Sequence, residues 1–353
     1  MKKLFYLCLL ACSLALLSAV VIVGCGNDDN TTGVESLGGS IDTTYLNWGK
    51  QDPRTWLPKT QPDRRITYKN SGFLYSDQQS HFGDLRIPKN NKLKTAAGYP
   101  LIIMVHGGAW RSNTTLDRVA PLIEALTDEG MATWSIEFSR LGNTGGGYPG
   151  TFRDVGEGVD YVRTLAPEWN LDLNRVIILG HSSGGQLGLW AASRHNLSLS
   201  SPLYVANPLP VKAVVSLAGI ASLEYALVTG GRTDILTFLD VPDAASAVPL
   251  YPSTSPYHML PIGIPTSHIV GTADDPWRIA AIHQYVDAVT ALGGTVHLSE
   301  PVGANEMDII DPCSPSWPTV VREVYWAFGI PAPTRDLNYS KFCPMNGRLP
   351  PIP

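Results

Sequence analysis

Apolar and polar positions divide the chain into distinct textures. Residues 4–24 form an uncharged, mostly apolar run behind Lys2 and Lys3, residues 26–40 are small and polar, and from about Ile66 onward short apolar runs alternate with segments of helical spacing. Residues 101–105, Leu-Ile-Ile-Met-Val, are the kind of unbroken apolar run that makes a strand buried on both faces. Further strands are expected over residues 131–138, 175–179, 211–217, 266–270 and 295–299. Between them, helical spacing predicts helices over 152–165, 183–194, 277–292 and 318–328. Residues 114–129 also have helical spacing, but Pro121 inside them predicts a break or a helix that starts there. Residues 66–75 and 81–87 are expected to form an antiparallel opening hairpin. The β-α alternation argues for an α/β domain, a mostly parallel central sheet with helices on both faces, whose function sits at the carboxyl ends of the strands.

Composition narrows the class. The chain has 353 residues, 44% of them hydrophobic. Without its ends, about 280 residues remain, enough for one domain with a large core. A formal net charge of −5 and a charged fraction of 16% offer no basic patch for nucleic acid. No internal repeat occurs at solenoid or propeller periods. A compact globular protein acting on a small molecule is expected.

The first residues read as an address. Lys2 and Lys3 followed by the uncharged run fit a secretory signal over residues 1–24. Ile22-Val23-Gly24-Cys25 resembles a bacterial lipobox, which implies that Cys25 is lipidated and becomes the first mature residue. An uncleaved membrane span is the alternative, since a run of this length crosses a bilayer. Either reading puts the bulk of the protein outside the cytoplasm, and the lipobox reading makes it a lipoprotein of the bacterial cell envelope. Residues 25–60 then hold the anchor and a flexible tether, 61–330 the domain, and 331–353 a Pro-rich tail. Cys8 and Cys12 leave with the signal, so Cys313 and Cys343 remain for the folded part. In an oxidising compartment they are expected to pair, two free thiols being the alternative. A bridge there ties the tail to the domain and contributes about 3 kcal/mol.

The chemistry concentrates where strands end. Gly180-His181-Ser182-Ser183-Gly184 is a G-x-S-x-G sequence at the end of an expected strand and the start of an expected helix, the context that this motif needs. Small residues on both sides of Ser182 let the backbone pass through a tight turn, which would lift the hydroxyl out of the sheet. Upstream, His106-Gly107-Gly108-Ala109-Trp110 follows directly on the run at 101–105. Consecutive glycines there free backbone N–H groups to face a substrate oxygen. Gly108 and Ala109 are the candidates on one side of an oxyanion hole and Ser183 on the other, with His106 bracing the loop.

Together with Gly271-Thr-Ala-Asp-Asp-Pro276, these motifs resemble the α/β-hydrolase superfamily, within it the carboxylesterases grouped with kynurenine formamidase and the feruloyl-esterase-like domains. Tyr148-Pro149-Gly150-Thr151-Phe152 with Asp154 adds to the likeness, which runs from about Gly98 to Phe328. The resemblance implies an α/β-hydrolase fold with a short lid insert, here residues 221–261, and a serine hydrolase acting on an ester. It implies Ser182 as nucleophile and Asp274 as the acid after the strand at 266–270, with Asp275 as the alternative. Where related esterases carry the catalytic histidine, in a loop like G-A-x-H-x-D, this chain reads Gly303-Ala304-Asn305-Glu306-Met307-Asp308.

The family's base is therefore replaced by Glu306, and no histidine follows His297. His297 lies inside a strand, His283 in a helix that covers the sheet, and His258 in a Pro-rich region that could cap the pocket. Glu306 is an unusual base, because an ordinary glutamate with a pKa of about 4.3 is a poor acceptor for a serine proton. Three readings follow: an envelope-tethered esterase with a substituted base, a binding protein that keeps the pocket without turnover, or a substitution made to trap substrate. Trp110, Tyr148 and Trp277 stand next to the motifs as candidates for an acyl pocket, ordinary core packing being their alternative. The expected partner is a small-molecule ester. No metal-ligand spacing or dinucleotide fingerprint is present, so no cofactor is implied.

Overall fold

The structure is a computed structural model that describes residues 61–68, 80–335, 337 and 343. The expected leader at 1–24, the lipidation site Cys25, the tether to residue 60, the end of the first hairpin strand and most of the tail lie outside the described residues.

Eight strands form one sheet. They are β1 (Arg64–Thr67), β2 (Phe82–Arg86), β3 (Tyr99–Val105), β4 (Ala132–Ile136), β5 (Leu171–His181), β6 (Ala213–Leu217), β7 (Thr266–Ile269) and β8 (Val296–Ser299), in the order β1-β2-β4-β3-β5-β6-β7-β8. Strands β1 and β2 run antiparallel, and the rest of the sheet is parallel. The apolar run at 101–105 explains the two-layer core. Along β3, Leu101, Ile103 and Val105 feed one hydrophobic cluster, while Ile102 and Met104 feed the other.

Among the described residues, the helices of six residues or more are α1 (Ala120–Asp128), α2 (Gly150–Asp160), α3 (Val162–Trp169), α4 (Ser183–Ala192), α5 (Leu223–Val228), α6 (Asp234–Leu239), α7 (Pro276–Ala291) and α8 (Trp317–Ala327). Leu122, Ile123 and Leu126 of α1 pack with Val320, Val321 and Val324 of α8 on one face. Phe152 and Val155 of α2, Leu187 of α4 and Tyr285 of α7 pack on the other. Helix α1 starts where Pro121 falls in its first turn, a position where the missing N–H leaves no helix bond unmade.

Two elements differ from the sequence-based expectation. The single helix expected over 152–165 divides at Tyr161, whose carbonyl takes a tightened bond from the Thr164 amide at 2.8 Å as well as the Leu165 amide at 3.3 Å. Strand β5 begins at Leu171, earlier than expected, because Tyr99 pairs with Leu171 before a register shift restores the main pairing at Leu101 and Val176. The insert at 221–261 carries α5 and α6. It is packed down rather than loose, with Ile235, Phe238 and Leu239 buried in the core.

Candidate active site

The sharpest turn of the chain falls between β5 and α4. Ser182 joins them at φ 54 and ψ −121, a conformation that side chains rarely adopt and that costs on the order of 1–3 kcal/mol. The neighbouring glycines make it possible. A side-chain carbon at Gly180 would lie 2.4 Å from the Gly184 carbonyl oxygen, and one at Gly184 would lie 2.2 Å from the Val105 oxygen and 2.3 Å from the His106 oxygen. The turn is pinned to the end of β6: the Ser182 amide donates to Leu217 at 2.9 Å, and its carbonyl accepts from Ile220 at 3.2 Å.

The loop after β3 lies directly against this turn, since a side-chain carbon at Gly107 would stand 2.9 Å from Cβ of Ser182. Gly108, Ala109 and Trp110 all have positive φ, at 122, 53 and 57 degrees, which turns the loop sharply past the serine. The amides of Gly108, Ala109 and Ser183 donate no hydrogen bond among the described residues. His106 braces the loop. Its Nε2 is 2.9 Å from Glu137 Oε1, its Nδ1 is 2.7 Å from the Gly107 oxygen, and its ring stacks on Phe138 at 4.5 Å. Burial pushes Glu137 up, but His106 and Arg140 outweigh it and hold this carboxylate below its ordinary range.

Two carboxylates and one guanidinium complete the cluster. Asp274 follows β7 and is 8% exposed. Its Oδ1 accepts from Arg278 Nη1 at 2.5 Å and from the Asp275 amide at 2.6 Å, whereas Oδ2 has no hydrogen-bond partner among the described residues. Burial pushes Asp274 up to about 6 in spite of Arg278 and the amide bond. Glu306 follows β8, and Arg278 Nη1 lies 3.1 Å from its Oε2. The Ser182 hydroxyl is near enough to this carboxylate to help lower its pKa. Burial raises the Glu306 pKa, but Arg278, His181 and the Ser182 hydroxyl bring it below the ordinary carboxylate value. Arg278 thus bridges Glu306 and Asp274, with the Ser182 hydroxyl beside Glu306. Asp275, the alternative acid, has a side chain 60% exposed and 3.8 Å from Arg278.

Sequence reasoning missed Arg278 and His181. Arg278 follows Asp274 by one helical turn at the start of α7, an i,i+4 spacing that juxtaposes the two. His181 stands inside the G-x-S-x-G motif itself. Its Nε2 is 3.2 Å from the Glu306 carbonyl, so the ring donates there, and Nδ1 has no partner among the described residues. Burial lowers its pKa to about 4 although Glu306 opposes the shift, so the ring is neutral at pH 7.

The three histidines weighed as alternative bases are engaged away from this cluster. His297 stacks on Trp326 at 3.8 Å, His283 meets Glu300 at 2.9 Å, and His258 meets Glu224 at 3.1 Å. The candidate pocket aromatics separate. Trp110 is 1% exposed, stacks on Phe238 at 4.5 Å and donates its Nε1–H to Gln186 at 3.0 Å, so its ring is a core group and not a pocket wall. Tyr148 is half-buried against the core with its ring edge on Phe152. Trp277 is half-buried beneath Arg278, whose guanidinium carbon is 5.2 Å from its ring centroid. Among the described residues, no group of three or more His, Cys, Asp or Glu is arranged to hold a metal ion.

A mostly parallel eight-stranded sheet with a strained serine at the end of β5 and carboxylates after β7 and β8 is the α/β-hydrolase fold. Residues 84–258 match the model of the BD-FAE family. Similar solved structures include a truncated carbohydrate esterase from gut microbiota, 20% identical over 78% of this chain and 99% of that one, with a TM-score of 0.63. Esterase B from Lactobacillus rhamnosis HN001 is 15% identical over 77% of this chain and 87% of that one, with a TM-score of 0.61. An acetyl ester-xyloside bifunctional hydrolase from Caldicellulosiruptor lactoaceticus is 17% identical over 77% and 98% respectively, with a TM-score of 0.59. No curated protein matches the chain.

Proposed function

We propose that the protein is a slow serine esterase, tethered to the bacterial cell envelope through Cys25, in which Glu306 takes the place of the histidine base. The Ser182 hydroxyl attacks the ester carbonyl and passes its proton to the Glu306 carboxylate. The amides of Gly108, Ala109 and Ser183 hold the oxygen that becomes negative in the tetrahedral intermediate. Glu306 then returns the proton to the departing alcohol, leaving an acyl group on Ser182 for water to remove. Arg278 and Asp274 hold Glu306 in place. The observation that carries this reading is the strained Ser182 turn at φ 54 set beside a Glu306 carboxylate whose pKa the serine hydroxyl helps to lower.

The same carboxylate sets the speed. A base held below the ordinary range by Arg278 accepts a proton less readily than imidazole, and Arg278 cannot replace the imidazolium that Asp274 stabilises in a Ser-His-Asp triad. Slow hydrolysis of para-nitrophenyl acetate that disappears in Ser182→Ala is the expected result. The lowered basicity of Glu306 favours one other reading, a pocket that holds an ester without turnover. A parent rate equal to that of Ser182→Ala selects that reading instead.

A further inference from the structure

An open groove of about 940 Å³ leads away from the oxyanion loop at Ala109 and runs between that loop and the start of α6. Its lining is polar, and includes Arg111, Asn113, Arg232, Thr233 and Asp234. The two arginines stand in different electrostatic situations. Arg232 is neutralised and fixed: Nη2 is 2.6 Å and Nε 3.0 Å from the two oxygens of Asp234, and its guanidinium carbon lies 5.9 Å from the Trp110 ring centroid and 5.8 Å from that of Trp277. Arg111 makes no side-chain hydrogen bond or ion pair among the described residues, although its backbone is held by the Gly108 oxygen at 3.0 Å and by a bridge to Leu141. A rigidly rooted chain therefore presents one uncompensated guanidinium two residues beyond Ala109.

We propose that this groove binds a free carboxylate carried by the ester substrate, with Arg111 as the residue that recognises it. The substrate class is an ester with a second, ionised carboxyl group, either the monoester of a dicarboxylic acid or an ester of an acidic sugar. A guanidinium offers a planar pair of donors that matches a carboxylate. Asp234 in the same groove disfavours a doubly charged group such as a phosphate monoester, and hydroxyl and amide side chains suit a polar body between the two carboxyl groups. The proposal rests on the esterase reading, and its test keeps the two apart.

Two para-nitrophenyl esters of equal length serve as probes: the monoester of glutaric acid, which carries a free carboxylate, and the valerate, which does not. At low ionic strength kcat/KM is expected to favour the glutarate by about tenfold, the size of one charge-assisted contact at an exposed site. That preference should collapse in Arg111→Gln and partly return in Arg111→Lys. Equal rates for both probes, or a preference that survives in Arg111→Gln, would overturn the proposal. Calorimetric titration of Ser182→Ala with monomethyl glutarate against methyl valerate reads the same contact without turnover. If the parent hydrolyses neither probe, the esterase reading fails while the titration still decides on Arg111. Equal affinity for both ligands in that titration also overturns the carboxylate site.

Discussion

At the scale of single residues, the proposed mechanism turns on position 306. Asp274 Oδ2 has no partner among the described residues, and the Ser182 hydroxyl is near enough to the side chain at 306 to shift its pKa. A histidine placed there meets an acceptor on one side and a hydroxyl on the other. Glu306→His is therefore expected to raise kcat/KM for a short activated ester by at least about 10²-fold, the contribution that a positioned general base usually makes. An unchanged rate would remove Glu306 from the proton path. The pH profile separates the two proteins. Glu306 has a folded-state pKa below its ordinary value, so it is ionised from pH 5 upward and loses its charge only as pH falls through that lowered value. The parent rate should accordingly hold from pH 7 down to pH 5, apart from any effect of Asp274, which burial pushes up to about 6. Glu306→His should instead lose activity in that interval as its imidazole, with an ordinary pKa of about 6.5, takes up a proton. Both are read from initial rates across the pH range. The tight turn at Ser182 was legible because it sits in a fixed local frame of residues. Arg278 was not, because an arginine in the first turn of a helix reads as a surface charge until the fold folds Glu306 back onto it.

At the scale of elements, the site depends on how closely α4 approaches β3. The apolar run at 101–105 announces a central strand, and the spacing after Ser182 announces a helix, but their separation is set by Gly184. A methyl group there would stand 2.2 and 2.3 Å from the carbonyl oxygens of Val105 and His106, backbone atoms at the end of β3 and just beyond it, both buried. Gly184→Ala must therefore push the helix from the sheet, at a cost of about 1–3 kcal/mol for overpacking. It also moves the amide of Ser183 away from those of Gly108 and Ala109. A lower urea midpoint together with a fall in kcat is the expected pair of effects, and full activity in Gly184→Ala would contradict the account of the oxyanion hole. The divided helix at Tyr161 shows what periodicity misses. Apolar spacing continues through α2 and α3, so the sequence reads as one helix, while the tightened bond at Tyr161 is a backbone event that leaves the pattern of side chains unchanged.

At the scale of the whole molecule, the tail and the active-site loop are covalently joined. Cys313 lies five residues after Asp308, in the same β8–α8 connection that carries Glu306, and it is bonded to Cys343 with a sequence separation of 30. The pairing expected from cysteine usage is thus present, and it fastens Cys343 to the loop that carries Glu306, the proposed base. Closing a loop of that length removes unfolded-state entropy worth about 3–4 kcal/mol at room temperature. Replacing both cysteines by serine is expected to lower the urea midpoint by that amount divided by the slope of the parent transition, and treatment of the parent with a reducing agent should reproduce the shift. A midpoint insensitive to both would mean that the bond does not persist in solution. Because the bond acts mainly on the unfolded chain, kcat for a short ester should change far less than stability. A loss of kcat as large as that of Glu306→Gln would instead assign to the bridge the job of holding the base against Ser182.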